Sequence, residues 1–453
     1  MTLLSRRRFL RAAAGAALGA ALPWPARALA DAGAGGGPIP EHAGDLSEML
    51  FVYDQVRAPH LLREIVEIVR HAPPRARLHV LVSQPLRDEA QSRLESYGLG
   101  GAVLIASAAE RVSGDWGRDI LQVARDPDGV RVAHVPWNKG AESRAALARG
   151  ADQLGALARD GLRVRLLPAA WEGGNLMTDV TGDGRRVLFA GSTIAIETIA
   201  LYRRWHDAAI GPDEAGRILG EALGCDEVVW IGPRTAAGPP QRQPHLLFHI
   251  DMGMSVIAPG VAVVARLDPD AWRTPHRDLL AGELARTRAA LERRRADGVP
   301  SAADPGLPEP DEEAAWIERR QAEERAALAA AARHLEDTAQ LLARRGYAVH
   351  RIDTEPERAR RFQSYTNVIP SRDRLIVPIY PSVERVHGWV VAGADGRNRV
   401  DVDAGVEDSD FALEDGNLAA VELYRSLHPG VRVVRDYFYM ASGNVHCVIG
   451  RLR

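Results

Sequence analysis

Cysteine and lysine are almost missing from this chain. Among 453 residues there are two cysteines, Cys225 and Cys447, and a single lysine, Lys139, in a set of 57 basic residues. The lysine deficit reads as a bias toward arginine and carries no mechanism. Two cysteines exclude a disulfide framework, since the only bridge available is Cys225 with Cys447. Charge of neither sign is in excess: 57 Lys+Arg face 60 Asp+Glu, for a formal net charge of -3. A strong nucleic-acid or polyanion partner does not follow from that balance. Beyond the first thirty residues there is no apolar run of the about 20 residues that a membrane helix needs. No G-x-G-x-x-G follows the first predicted strand, which argues against a dinucleotide-binding chain.

The N-terminus has the composition of an address. Ser5-Arg6-Arg7-Arg8-Phe9-Leu10-Arg11 is a charged opening with a twin-arginine pair. An Ala/Leu/Gly run follows to Leu22, then Pro23 and a small-residue site at Ala28-Leu29-Ala30. Residues 1–30 are read as a twin-arginine signal peptide and 31–45 as a flexible, Gly/Ala/Pro-rich leader. The expected product is exported through the twin-arginine machinery to the periplasm or the medium. It begins near Asp31 and keeps no stable membrane insertion after the signal is removed.

From about residue 50 onward, short apolar strands alternate with amphipathic helices. Helical spacing marks 60–71, 88–97, 143–160, 213–223 and 416–426. Strand-like runs fall at 78–82, 102–105, 130–135, 164–167, 228–231, 347–352, 375–379 and 431–434. The alternation predicts an α/β fold. Residues 268–345 break it, being rich in Arg, Ala and Glu and interrupted by prolines between 300 and 310. Without sustained heptads they read as two solvated helices in a surface insertion.

Five polar clusters stand beside strand ends: Asp115-Trp116-Gly117-Arg118-Asp119, Glu172-Gly173-Gly174-Asn175, His249-Ile250-Asp251, Ser364-Tyr365-Thr366-Asn367, and Gly443-Asn444-Val445-His446-Cys447. Singly, each has a plain structural reading. Asp119 could pair with Arg118, Asn367 could satisfy a turn, and Cys447 could be a small core residue. His249 and Asp251 lie in an apolar stretch where unpaired polar groups are costly. Strand alternation would put both on one face, where they either satisfy each other or line a pocket. Zinc would call for more His or Cys at close spacing, and neighbours such as His446 and Cys447 point to opposite faces of a strand. A Cys-His-Asp acyl hydrolase needs one carboxylate, whereas three are on offer. Cys225, between a helical pattern and a strand, reads as structural.

Taken together and in order, Trp116-Gly-Arg-Asp119, Glu172-Gly-Gly-Asn175, His249-Ile-Asp251, Tyr365-Thr-Asn367 and Gly443-Asn-Val-His-Cys447 resemble the bacterial peptidylarginine deiminase and agmatine deiminase family. The likeness runs from about residue 50 to the end, outside 268–345. It implies a pentein fold: one catalytic domain, 46–453, of five ββαβ-type modules arranged as blades around a pseudo-fivefold axis. It implies a guanidino-group hydrolase that needs neither cofactor nor metal. Cys447 would be the nucleophile, His249 the acid and base, and Glu172 its orienting partner. Asp119 and Asp251 would grip the guanidinium, with Trp116 and Asn367 also at the substrate. The substrate would be a small-molecule or peptide guanidino compound.

The chain departs from the agmatine deiminase pattern at Leu247-Phe248, ahead of His249, and at Ser442-Gly443-Asn444, ahead of the cysteine. Together with export, these departures favour peptidyl arginine or a related compound over agmatine. Two other readings share the scaffold: an amidinotransferase, and an inactive guanidino-binding protein. Lys139 reads as a solvated loop residue, or as a contact for a substrate carboxylate. Oligomeric state is not encoded in any of these features.

Overall fold

The computed structural model describes residues 37–452 except 54, 56–57, 108–116, 138–154, 161, 234–240, 245–246, 270–280, 283, 286–287, 290–291, 293–307, 310, 355, 359–360, 382–387, 393–397, 403–410, 412–414 and 438–444. The signal segment, Trp116, Lys139, Gly443 and Asn444 therefore lie outside the described residues, as does most of the helix expected at 143–160.

Among the described residues, five sheets of three or four strands carry the core, and four of them follow one plan. An antiparallel pair is followed by a crossover to a third strand that lies parallel to the second. The second sheet pairs Gln122–Arg125 with Arg131–Pro136 antiparallel, then adds Arg163–Leu167 in parallel. The third repeats this with Leu176–Val180, Arg186–Gly191 and Glu227–Ile231. The fourth uses Met254–Ala258, Val261–Arg266 and Ala348–Asp353. In the fifth, Ile369–Pro370, Leu375–Ile379 and Val431–Arg435 take the same places. The first sheet differs in two respects. Its Glu48–Val52, Arg77–Ser83 and Val103–Ser107 are all parallel, and the antiparallel partner of Glu48–Val52 is Gly450–Arg451, from the other end of the chain.

Among the described residues, the crossovers of the first, third, fourth and fifth sheets carry α-helices whose apolar residues recur on one face. In Ala58–His71, Leu61, Leu62, Ile65 and Ile68 are all buried, and Arg70 and His71 sit at the end where the helix dipole favours positive charge. Pro212–Leu223 starts on proline with Asp213 and Glu214 in its first turn, which suits a helix N-terminus. Its Ala215, Leu219 and Leu223 pack on the third sheet.

Neighbouring sheets share their cores. Leu50, Val52 and Leu81 of the first pack with Val123, Ala133 and Val135 of the second, and Leu167 of the second packs with Leu188 and Trp230 of the third. One large cluster joins Phe189 of the third, Val263 of the fourth and Val377 of the fifth. Ile376 and Val434 of the fifth meet Phe51 and Val80 of the first.

Two expectations change. The leader is not loose where it is described. Gly37–Pro38 pairs antiparallel with Arg125 and Ala124 of the second sheet, and Pro40 to Gly44 are buried. Buried hydrogen bonds outweigh the low apolar content that made the segment read as a leader. The presumed insertion is also integral in its second half. Glu313–Arg344 is the crossover helix of the fourth sheet, with Leu328, Ala331, Leu335, Ala339 and Leu342 in the largest core cluster. Its many surface arginines and glutamates dominate the composition and hide that stripe. The helix expected earlier in 268–345 lies largely outside the described residues. No helix among the described residues is long and apolar enough to cross a membrane.

If Glu313–Arg344 belongs to the core, Leu335→Ala and Leu342→Ala should each destabilise the protein by about 2–5 kcal/mol, as buried leucine truncations do. Denaturant unfolding measures this. Losses under about 0.5 kcal/mol would be those of an exposed position.

Candidate active site

Each polar cluster lies just ahead of the first strand of a sheet. Gly117–Ile120 is a short helical turn before Gln122–Arg125, and the Gly173–Asn175 turn enters Leu176–Val180. The Ile250–Met252 turn enters Met254–Ala258, and Thr366 and Asn367 precede Ile369–Pro370. Val445 to Cys447 precede Gly450–Arg451. The same position in five similar units therefore supplies at least one polar group each. His249 and Asp251 are thus not alternating strand residues, as expected from sequence. A 3-10 turn sets their directions.

These turns converge. A ring nitrogen of His249, a carboxylate oxygen of Asp251 and Cys447 Sγ all lie within 4.8 Å of one another. All three residues are buried. Glu172 accepts from His249 Nε2 at 2.8 Å, which leaves Nδ1 as the nitrogen without a hydrogen-bond partner. Asp251 Oδ1 also lacks one. Gly174 explains how these two atoms are kept open. A Cβ on it would lie 2.5 Å from His249 Nδ1 and 3.0 Å from Asp251 Oδ1, so any side chain there would occupy the space they face. Gly117 is constrained more severely: a Cβ would meet the carbonyl oxygens of Val448 at 2.4 Å and Leu50 at 2.6 Å, both fixed backbone.

Asn367 spans the nucleophile and its neighbour. Its Nδ2 is 3.7 Å from Cys447 Sγ, and its Oδ1 accepts the His446 backbone N–H at 2.7 Å. Asp119 accepts the Gly173 N–H at 2.7 Å, which ties the second cluster to the first. Burial pushes the Asp119 carboxyl up to about 6; the charge of His249 opposes this, while Glu172 and Asp251 add to it. Burial works against a charged His249, but the Glu172 hydrogen bond and the charges of Asp119, Asp251 and Glu172 prevail and raise its pKa.

Sequence reasoning missed three residues behind Asp251. Asp251 Oδ2 is 3.1 Å from His446 Nδ1 and 3.8 Å from Arg118 Nε. Glu41 pairs with Arg118 through one carboxylate oxygen, and its other oxygen lies 3.1 Å from His446 Nε2. Arg118 is visible inside the first motif, where the sequence suggests only a local pairing with Asp119. His446 was set aside because a strand would turn it away from Cys447; residues 445–448 form a turn instead. Glu41 lies in the presumed leader and gave no signal. Of the residues expected at the site, Cys447, His249, Glu172, Asp251, Asp119 and Asn367 are interlinked, and Trp116 lies outside the described residues. Cys225 is elsewhere, partly buried against the core of the third sheet, and neither cysteine is in a disulfide.

His249, Asp251 and Cys447 also make the one group among the described residues that could bind a metal ion by donor spacing. Glu172 occupies His249 Nε2, so Nδ1 is the nitrogen that would give a proton or meet an ion.

No protein-family model matches the chain, and no curated protein matches it by sequence. Solved structures do match. A protein assigned as a peptidyl-arginine deiminase is 14% identical with a TM-score of 0.52, over 92% of this chain and 98% of the other. An agmatine deiminase from C. jejuni is 11% identical with a TM-score of 0.53, over 92% and 96%. A Cys-to-Ser variant of the C. jejuni enzyme with substrate bound is 13% identical with a TM-score of 0.50, again over 92% and 96%. The chain thus has the fold of these deiminase structures along nearly its whole length.

The Asp119 shift has a sign that can be checked. Unfolded, this carboxyl titrates near 3.8; folded, it titrates at about 6. Its charge therefore burdens the fold above about 6, and the burden fades as pH falls toward 3.8. Asp119→Asn should be more stable than wild type at about pH 7.5, with the gap narrowing toward about pH 4. Thermal unfolding of both proteins across that range is the measurement, and a gap that widens on acidification contradicts the shift.

Proposed function

We propose that the chain is a cysteine-dependent deiminase of the peptidylarginine and agmatine deiminase family, converting an arginine-type guanidinium to a ureido group with release of ammonia. The observation that carries this reading is the convergence of Cys447 with His249 and Asp251, whose buried Nδ1 and Oδ1 lack hydrogen-bond partners and border the space left by Gly174. The five sheets of related plan, with cores shared from each to the next and from the fifth back to the first, support five blades around a pseudo-fivefold axis.

A guanidinium is planar, delocalised and always charged near neutrality, and carboxylates recognise it through bidentate hydrogen bonds. Asp251, by Oδ1, and Asp119 supply the negative charge. The Cys447 thiolate attacks the central carbon, helped by the substrate's own positive charge. His249, held by Glu172, protonates the nitrogen as the C–N bond breaks, and ammonia leaves. The carbon is then held as a thiouronium on Sγ. His249 takes a proton from water, whose oxygen adds to that carbon. The thiolate is expelled, the hydroxyl proton passes to solvent, and the ureido product is released. Asn367 steadies the thiolate through its amide N–H. This chemistry uses no metal or cofactor.

The twin-arginine segment supports action outside the cytoplasm, and with it arginine in peptides or a related guanidino compound. The test is a panel of agmatine, free arginine and peptides with internal or C-terminal arginine, scored for ureido product and ammonia. Cys447→Ala should abolish turnover on whichever substrate responds. Asp251→Asn should raise KM by about 10- to 100-fold, the worth of a charge-assisted hydrogen bond, and a chelator should have no effect. Unchanged turnover in Cys447→Ala would sink the proposal. Amidino transfer to an amine without ammonia would replace it with a transferase.

A further inference from the structure

Residues 37–45 touch four of the five sheets directly and reach the fourth through Asp179. Gly37–Pro38 adds a strand to the second. The Ile39 carbonyl accepts from Thr178, and His42 is buried against Asp179 at 2.7 Å, both in the third. Asp179 in turn accepts the N–H of Gly260, at the hairpin of the fourth. The Gly44 carbonyl accepts the N–H of Arg372, at the hairpin of the fifth. Arg451, in the terminal strand of the first, donates to the Glu41 carbonyl at 2.6 Å. This strap sets the Glu41 carboxylate under the site, where Glu41, Arg118, Asp251 and His446 close a ring of buried charged and titratable groups with no gap above 3.8 Å.

Arg118 poses a problem for guanidinium binding. It is itself a buried guanidinium, 3.8 Å from the carboxylate meant for the substrate. Left alone, it would turn onto Asp251 and neutralise it. In the structure its Nη2 is instead committed to Glu41 and to the Leu176 carbonyl.

We propose that the N-terminal strap is part of the active site, and that Glu41 is a positioning residue that diverts Arg118 so that Asp251 stays available to a substrate guanidinium. This rests on the deiminase reading for the identity of the ligand. It also means that any maturation of the N-terminus must leave Glu41 in place.

The test uses the full chain and methylguanidine, at concentrations far below those that unfold proteins, with affinity measured by calorimetry in a Cys447→Ala background. Adding Glu41→Gln should weaken methylguanidine binding by about 10- to 100-fold. Glu41→Asp, which keeps the charge, should recover part of that loss. Adding Arg118→Gln to Glu41→Gln removes the competitor and should restore affinity to within about threefold of the parent, a coupling that a merely structural role would not give. The double variant also removes the buried pair as a unit, so it serves where Glu41→Gln alone fails to fold. Unchanged affinity in Glu41→Gln, or a double variant that binds no better than Glu41→Gln, overturns the proposal. So does a Cys447→Ala parent that binds no methylguanidine. Binding that follows the pattern while wild type makes no ureido product would retain the strap's role and remove the deiminase reading. On an active substrate, Glu41→Gln should raise KM more than it lowers kcat.

Discussion

One buried carboxylate sets the terms for the centre of this protein. Asp251 has no exposed surface, and an isolated charge in such a place is prohibitive. It is held there chiefly by His446, 3.1 Å away; Arg118, at 3.8 Å, is drawn off toward Glu41, which also meets His446. The balance lowers the Glu41 pKa well below the usual range despite burial, through the charges of Arg118 and His446. Removing one member would strand the others, and breaking a buried pair commonly costs about 3–5 kcal/mol. Asp251 Oδ1 is left without a hydrogen-bond partner, in a residue that lies against the thiol and the histidine.

That arrangement depends on where the clusters sit in the sheets. A residue two to four positions ahead of the first strand of each sheet is fixed by the strand on one side and by a tight turn on the other. Sites built on such rigid ends hold their geometry better than sites on long loops. Hydrogen bonds onto backbone carbonyls between the turns add to this: the Arg118 N–H donates to Cys447, the Asn175 side-chain amide to Phe248, and the Thr366 hydroxyl to Asp251. Close approach of this kind leaves no room at Gly117 or Gly174 for a Cβ. The pairing of Gly450–Arg451 with Glu48–Val52 then joins the chain's end to its first sheet, which carries Cys447 in beside residues far earlier in the sequence.

Much of the local structure was legible. Period-two and period-3.6 patterns mark the strand at Leu375–Ile379 and the helices at Ala58–His71 and Asp415–Leu427 within one or two residues, because burial on one face is written directly into residue order. The helix Glu313–Arg344 was legible as a helix but not as core, since its buried stripe is mostly alanine and leucine amid many charges. The turn at His249 was misread as a strand, because an apolar run of that length does not distinguish a strand from a short turn leading into one.

What the sequence determined by itself is an inventory and an order: a thiol, a histidine, an amide and three carboxylates, each beside a strand. Tertiary structure decided which of their atoms face one another, and it brought in Glu41 and His446, which no spacing could connect. The physical reason is that a buried charge must find its partners in space. Here those partners lie at opposite ends of the chain, and only the folded sheets bring them within 3.1 Å.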